Sequence, residues 1–366
     1  MKSKRYKCFV VICSVFMAIM MFGFFMKSRE SKSVLEENAT TESETGETGE
    51  NTQNDKNEME QTEDDFIKWV DFGVTYAALE AAYTYDVDSY GSEIKLDWIQ
   101  LLAYAACKNW GDFSNDQKVK ESMASMAEQL TNKEKTVEEL TGDLSNYNYF
   151  YESYSAALSG LVGEYELDGT KKYGLKGYSP IAKNFYYTDY DDFGVSRSYG
   201  YKRRHLGHDM MGQVGTPIIA VESGIVEVLG WNQYGGWRIG IRSFDGKRYY
   251  YYAHLRKDFP YNKSLTEGSI VTAGDVIGYL GRTGYSANEN VNNIDEYHLH
   301  FGIQLIFDES QKEGYGEIWI DPYNLVRFLY RNRSETQKNE ETKEWSRINV
   351  MIDPLAEEYK INNGIN

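Results

Sequence analysis

The apolar pattern of this chain changes period near Lys171, and that change restricts the possible fold more than any other feature. Beyond it come short β-branched and aromatic runs parted by glycine-bearing turns: "TPIIAVESGIVEVLGWN", "WRIGIRSFDGKRYYYYAHL", "GSIVTAGDVIGYLG" and "YHLHFGIQLIF". Runs of this length and composition suit strands. Phe244-Asp245-Gly246-Lys247 is a hairpin turn signal between two of them. No long helical period interrupts the series, so residues 169–330 are expected to form a mainly-β domain built on an antiparallel sheet. Residues 331–366 are polar apart from "INVMIDPLAEEY" and read as a loosely held C-terminal tail.

Upstream, residues 66–168 carry a helical period, and an all-α module is expected there. Phe66, Trp69, Val70, Gly73, Val74, Ala77 and Ala81 make one stripe. "EIKLDWIQLLAYAACKN" reads as a second helix and "NYFYESYSAALSGLVGEYEL" as the last. Ser114–Gln117 and Thr136–Glu139 have the pattern of capping boxes. Asp86–Asp97, "DVDSYGSEIKLD", partly matches a calcium-binding loop. Tyr90 at the fifth position and the short Asp97 at the twelfth favour an acidic helix–helix turn instead. The module is a candidate surface for a protein partner.

Residues 1–27 read as a cytoplasmic tip and a transmembrane anchor. Lys2, Lys4, Arg5 and Lys7 precede Cys8–Met26, 19 residues without a charge. As a helix this run is about 28 Å long, close to the hydrocarbon thickness. The basic flank places the N-terminus in the cytoplasm and the remainder outside the cell. An uncleaved anchor is preferred to a signal peptide, because no small-residue cleavage pattern follows. Residues 28–65 are rich in Glu, Thr, Ser and Asn and read as a disordered acidic tether. A formal net charge of -17 argues against nucleic acid as a partner. Cys107 is the only cysteine outside the apolar run, so no disulfide framework is expected.

All five histidines, His205, His208, His254, His298 and His300, fall in the β region. In a strand, residues two and four apart share a face. That puts His205, Gly207 and Asp209 together with His208 opposed, and His298 and His300 together with Leu299 opposed. Gly207 is expected to leave space for a metal. Two histidines and an aspartate with a fourth position open have the pattern of catalytic zinc, though other divalent ions accept the same donors. The remaining histidines can shuttle protons or stabilise an oxyanion. Spacing does not decide which histidine of "HLH" binds the metal.

The motifs "HLGHDMMGQVGTPIIAVESGIV", "YYYYAHL", "GDVIGYLGRTGYS" and "YHLHFGIQL", in that order, resemble those of the M23 zinc metallopeptidases of the lysostaphin and LytM type, over roughly residues 190–325. The resemblance implies zinc ligands His205, Asp209 and His300, catalytic histidines His254 and His298, and peptide cross-links of peptidoglycan as substrate. It also leaves the alternative of a catalytically silent scaffold, as in sporulation-channel proteins or amidase activators. His208 departs from the family pattern and reads as structural. The link Ala287–Tyr297 is longer than usual and is expected to line the groove. Tyr199, Tyr201 and the run 249–252 lie near the cleft, with about half of that run expected in the core.

Overall fold

A computed structural model describes residues 66–198, 202–314 and 316–365 of the protein. The apolar run 8–26, the tether and Tyr199 and Tyr201 lie outside the described residues. Among the described residues, no helix is long and apolar enough to cross a membrane.

Helix α1 spans Tyr76–Asp88 and starts later than its stripe, because the Thr75 hydroxyl accepts the Ala78 N–H at 3.3 Å and caps it there. Asp97 caps α2, Trp98–Lys108, by accepting from the N–H groups of Ile99 and Gln100. Asp86 accepts from the Trp98 N–H at 3.0 Å and from the Tyr173 hydroxyl. Both end positions of the calcium-like loop are therefore committed to the turn between two helices. Asn115, not Ser114, caps α3, Asp116–Thr131. The Thr136–Glu139 capping box does open α4, Val137–Thr141.

The last helix, α5, runs over Tyr147–Leu158 and ends well short of its expected length. Just past its end Gly160 admits the Glu222 carboxylate: a Cβ there would lie 1.5 Å from Glu222 Oε1. The chain then forms the hairpin β1, Val162–Leu167, and β2, Thr170–Leu175. Asp168 and Gly169, at φ 50° and 78°, give the two left-handed residues of a type I′ turn.

The strands that follow are β3 (Thr188–Asp189), β4 (Ser196–Ser198), β5 (Lys202–Arg204), β6 (His208–Met211), β7 (Pro217–Ile219) and β8 (Gly224–Asn232). Next come β9 (Gly236–Ser243), β10 (Arg248–Ala253), β11 (Ile270–Val271), β12 (Val276–Tyr279), β13 (His298–Leu305) and β14 (Ile318–Ile320). The main antiparallel sheet has the order β11-β8-β9-β10-β13-β6-β3, with β14 following β6 along one edge of β13. The turn 244–247 joins β9 to β10 as the sequence suggests. One hydrophobic cluster continues from Leu79, Leu102, Met126 and Tyr154 of the helices into Ile241, Tyr250 and Phe301 of the sheet.

A buried ion pair reinforces this contact. Arg248 at the start of β10 binds Glu222 through Nε at 2.8 Å and Nη2 at 3.0 Å. Its Nη1 donates to the Ala156 carbonyl of α5 at 2.7 Å. Both side chains are 5% exposed or less.

The segment after residue 330 is not loose. It follows α6, Tyr323–Leu329, and forms β15 (Thr336–Lys338), β16 (Trp345–Arg347), β17 (Met351–Ile352) and α7 (Pro354–Asn362). Strand β17 pairs with β1, and Met351 is buried. Asp353 pairs with the buried Lys176 ammonium at 2.8 Å. Met351, Ala356 and Trp345 pack on the fold, while Ile348, Val350, Ile352 and Ile361 stay exposed. Arg333 and Ser334 add side-chain hydrogen bonds to backbone carbonyls, contacts that composition does not reveal.

Candidate metal centre and active site

Strand β13 alternates as expected. Leu299 and Phe301 enter the core, while His298 and His300 face a groove. Across the ladder, His300 registers with Asp209 of β6 on one side and Ala253 of β10 on the other. His205 does not lie in a strand with Asp209, because β6 begins only at His208. The bend at 205–207 still delivers the His205 ring: its Nε2 lies 3.0 Å from Asp209 Oδ1. His208 points the other way, to Asp189 Oδ2 at 3.0 Å and against the Tyr323 ring.

Gly207 has a different use from the space for a metal expected of it. A Cβ there would lie 2.6 Å from His300 Nε2 and Cε1. The glycine lets the imidazole rest on the backbone and turns its Nδ1 toward the carboxylate. His300 Nδ1 is 2.8 Å from Asp209 Oδ1 and 3.1 Å from His205 Nε2.

His205, Asp209 and His300 thus present one donor atom each, all within 4.8 Å of one another. A tetrahedral ion with bonds of about 2.0–2.1 Å has ligand–ligand edges of about 3.3 Å. The three donors are near that spacing, and two imidazole nitrogens plus a carboxylate oxygen are a suitable set for zinc. Burial alone would raise the Asp209 carboxyl. Hydrogen bonds from His205 and His300 and the nearby His298 outweigh it, holding the group well below the usual carboxylate range.

The other two histidines stand beside this triad. The His254 ring is centred 4.7 Å from that of His298 and 5.7 Å from that of His300. His254 directly follows β10 in a left-handed conformation, φ 61°. Its Nδ1 lies 2.9 Å from the Thr283 carbonyl oxygen, an acceptor only, so Nδ1 carries the proton and Nε2 is left as a base. Burial, foremost, and the adjoining His298 and His300 keep this imidazole well below its usual pKa. His298 Nδ1 likewise faces the Glu296 carbonyl at 3.0 Å, freeing its Nε2.

Two further residues reach the centre. Asp192 Oδ1 lies 3.0 Å from His205 Nδ1, and Arg197 Nη2 lies 2.9 Å from Asp209 Oδ2 and also pairs with Asp192. The backbone bonds Gly194 N–His205 O, 2.7 Å, and His205 N–Val195 O, 3.0 Å, bring this loop alongside. Asp192 orients the His205 ring, and Arg197 holds the aspartate oxygen that does not face the other donors. The sequence offered only an acidic cluster, "DYDD", ahead of the motif.

The groove has a volume of about 910 Å³. Tyr249 and Tyr251 face into it, whereas Tyr250 and Tyr252 are buried beneath the sheet. Ile294, Asp295 and Glu296 of the long link line one wall.

Residues 203–313 match peptidase family M23, and the chain carries a domain of that family. The chain is 34% identical over 159 residues to the L-Ala–D-Glu endopeptidase of Bacillus subtilis, covering 43% of this chain and 45% of that protein. It is 40% identical over 98 residues to lysostaphin of Staphylococcus simulans, covering 26% of this chain and 17% of that protein. The solved catalytic domain of that lysostaphin is 30% identical and aligns with 38% of this chain and 92% of its own, with a TM-score of 0.30. The chain spans less than half the length of these two curated relatives.

Proposed function

We propose that the protein is a zinc endopeptidase that hydrolyses peptide cross-links of bacterial peptidoglycan. The observation that carries this reading is the convergence of His205, Asp209 and His300 beside His254 and His298, on the floor of an open groove. The similarity to an L-Ala–D-Glu endopeptidase and to a glycyl-glycine endopeptidase supports a peptide substrate. His205 through Nε2, His300 through Nδ1 and Asp209 through Oδ1 would hold the ion. When bound, zinc supplies Lewis acidity toward a peptide carbonyl and water.

The chain's own groups supply the proton transfers. His254 Nε2 takes a proton from the attacking water, since its Nδ1–H is fixed on Thr283 and burial keeps the ring neutral. His298, its Nδ1 held by the Glu296 carbonyl, stands beside His254. With a second proton on Nε2 it would pass that proton to the leaving amine, the water's proton taken by His254 replacing it at the end of the cycle. Asp192 keeps His205 in the tautomer that directs Nε2 at the centre.

Cross-linked wall treated with the full-length protein should gain free amino groups without gaining reducing sugar ends. A chelator should stop this and zinc restore it. Absence of amine release from walls of several cross-link types, with retained wall binding, would instead establish the silent scaffold. Asp192→Asn should weaken zinc about 10–100-fold in competition with a chelating dye; unchanged affinity would remove Asp192 from the centre.

The reading includes a single-pass anchor over residues 8–26, with the peptidase outside the cell. The basic flank and uncharged run support it. A cysteine replacing Ser43 should react with a membrane-impermeant thiol reagent in intact cells. Protection until the membrane is lysed would reverse the orientation.

A further inference from the structure

Among the described cations lining the groove, Arg238 is the one with a buried donor lacking a partner; Arg203 lies over the Tyr285 ring and Arg204 is exposed. Arg197 is taken by Asp192 and Asp209, and Lys312 by Glu227, which also binds Arg242. The Arg238 side chain has no hydrogen bond or ion pair among the described residues, and its Nε is buried without a partner. A buried donor of a charged group left unsatisfied is costly, which makes it a strong site for an incoming anion.

Its position is defined by the sheet. Asp209 registers with His300 and His300 with Ala253. One step beyond the Tyr252–Ile239 pair, Arg238 continues the same row. Two strand spacings, about 10 Å, therefore separate its Cα from that of His300. That is about the reach of three residues of extended peptide.

Two tyrosine hydroxyls lie over the stretch of chain that carries Arg238. Cβ atoms at Gly235 and Gly240, on either side of Arg238 in sequence, would lie 2.1 Å from the Tyr251 hydroxyl and 2.0 Å from the Tyr249 hydroxyl. The missing side chains let both rings lie across the neighbouring strand. Neither hydroxyl is hydrogen-bonded within the described residues. Asp295, Glu296, Glu313 and Glu317 line the groove walls. Those walls disfavour a polyanion such as a phosphate ester but leave a single carboxylate acceptable on the floor.

We propose that Arg238, with the hydroxyls of Tyr249 and Tyr251, forms a carboxylate-binding subsite, so that the groove selects a peptide bearing a free carboxylate within about three residues of the bond placed at His300. What the subsite does for turnover rests on the peptidase reading; what it binds does not. A glycine bridge amide-linked at both ends would leave Arg238 unpaired and be a poorer ligand.

The test uses zinc-loaded full-length protein and synthetic wall stem peptides in which each carboxylate in turn is replaced by its carboxamide. Calorimetry should find one replacement that weakens binding about 10–100-fold. Arg238→Gln should bind that carboxylate and carboxamide pair equally, and bind the carboxamide as wild type does. Arg238→Lys should recover only part of the preference, because it lacks the planar fork. Equal binding of every pair by wild type, no binding of any peptide, or a preference kept in Arg238→Gln would each overturn the subsite. Turnover of the same peptides separates the two readings. A binding preference without turnover sinks the peptidase and leaves the subsite; turnover without preference does the reverse.

Discussion

On the proposed peptidase reading, His254→Asn should lower kcat on cross-linked wall peptide by about 10²–10⁴-fold, the usual contribution of a positioned acid or base, while zinc content and unfolding midpoint stay near wild type. Asparagine is the informative replacement for two reasons. It tolerates the left-handed backbone at position 254, φ 61°, better than alanine does. Its amide N–H can also still donate to the Thr283 carbonyl that now accepts from Nδ1. The substitution therefore removes the basic Nε2 and little else. A variant that loses zinc together with activity would place His254 in the metal-binding set. A variant with more than a tenth of wild-type kcat would take the base elsewhere.

Much of the centre was legible because strands alternate. The "HLH" of β13 had to present both histidines on one face, and it does. Tyr249 and Tyr251 were separated from Tyr250 and Tyr252 by the same rule. The rule misplaced His205, since the strand it assumed is broken at 205–207, yet the ring still meets Asp209. Asp192 and Arg197 follow no period at all. Asp192 meets His205 from 13 positions away through a loop bonded to it by backbone groups. The hairpin at Asp168-Gly169 had a readable turn signal, which the helical pattern before it masked. Gly207 stands out within its motif, but only three dimensions reveal that the His300 ring is what it accommodates.

Arg248→Met should destabilise the protein by about 3–5 kcal/mol, because it leaves the Glu222 carboxylate buried without its counter-charge. Glu222 would retain only the Tyr250 hydroxyl, 2.6 Å away. The Ala156 carbonyl of α5 would lose its guanidinium donor as well, whereas that of Ser155 keeps the Ser159 N–H and hydroxyl. Arg248→Lys should recover little, since one ammonium cannot reach both Glu222 oxygens and α5 in the way the fork does. Adding Glu222→Gln to Arg248→Met should restore part of the loss by removing the stranded charge. Denaturant midpoints of the single and double variants decide the matter. A single variant within about 1 kcal/mol of wild type, the scale of an exposed pair, would show that water reaches the pair and supports the carboxylate.

The pairing of β17 with β1 also sets an order of events during biosynthesis. Val350 donates to Asp168 from 182 positions further along the chain. Until that late segment is made, β1 keeps an open edge and Lys176 lacks Asp353. Nascent chains that stop short of residue 350 therefore expose an unpaired strand and a lysine ammonium deprived of its carboxylate, features that invite chaperones or proteases. The native state becomes reachable only once residues 351–353 have been made, so a chain interrupted before them would carry the three-stranded sheet β17-β1-β2 unfinished.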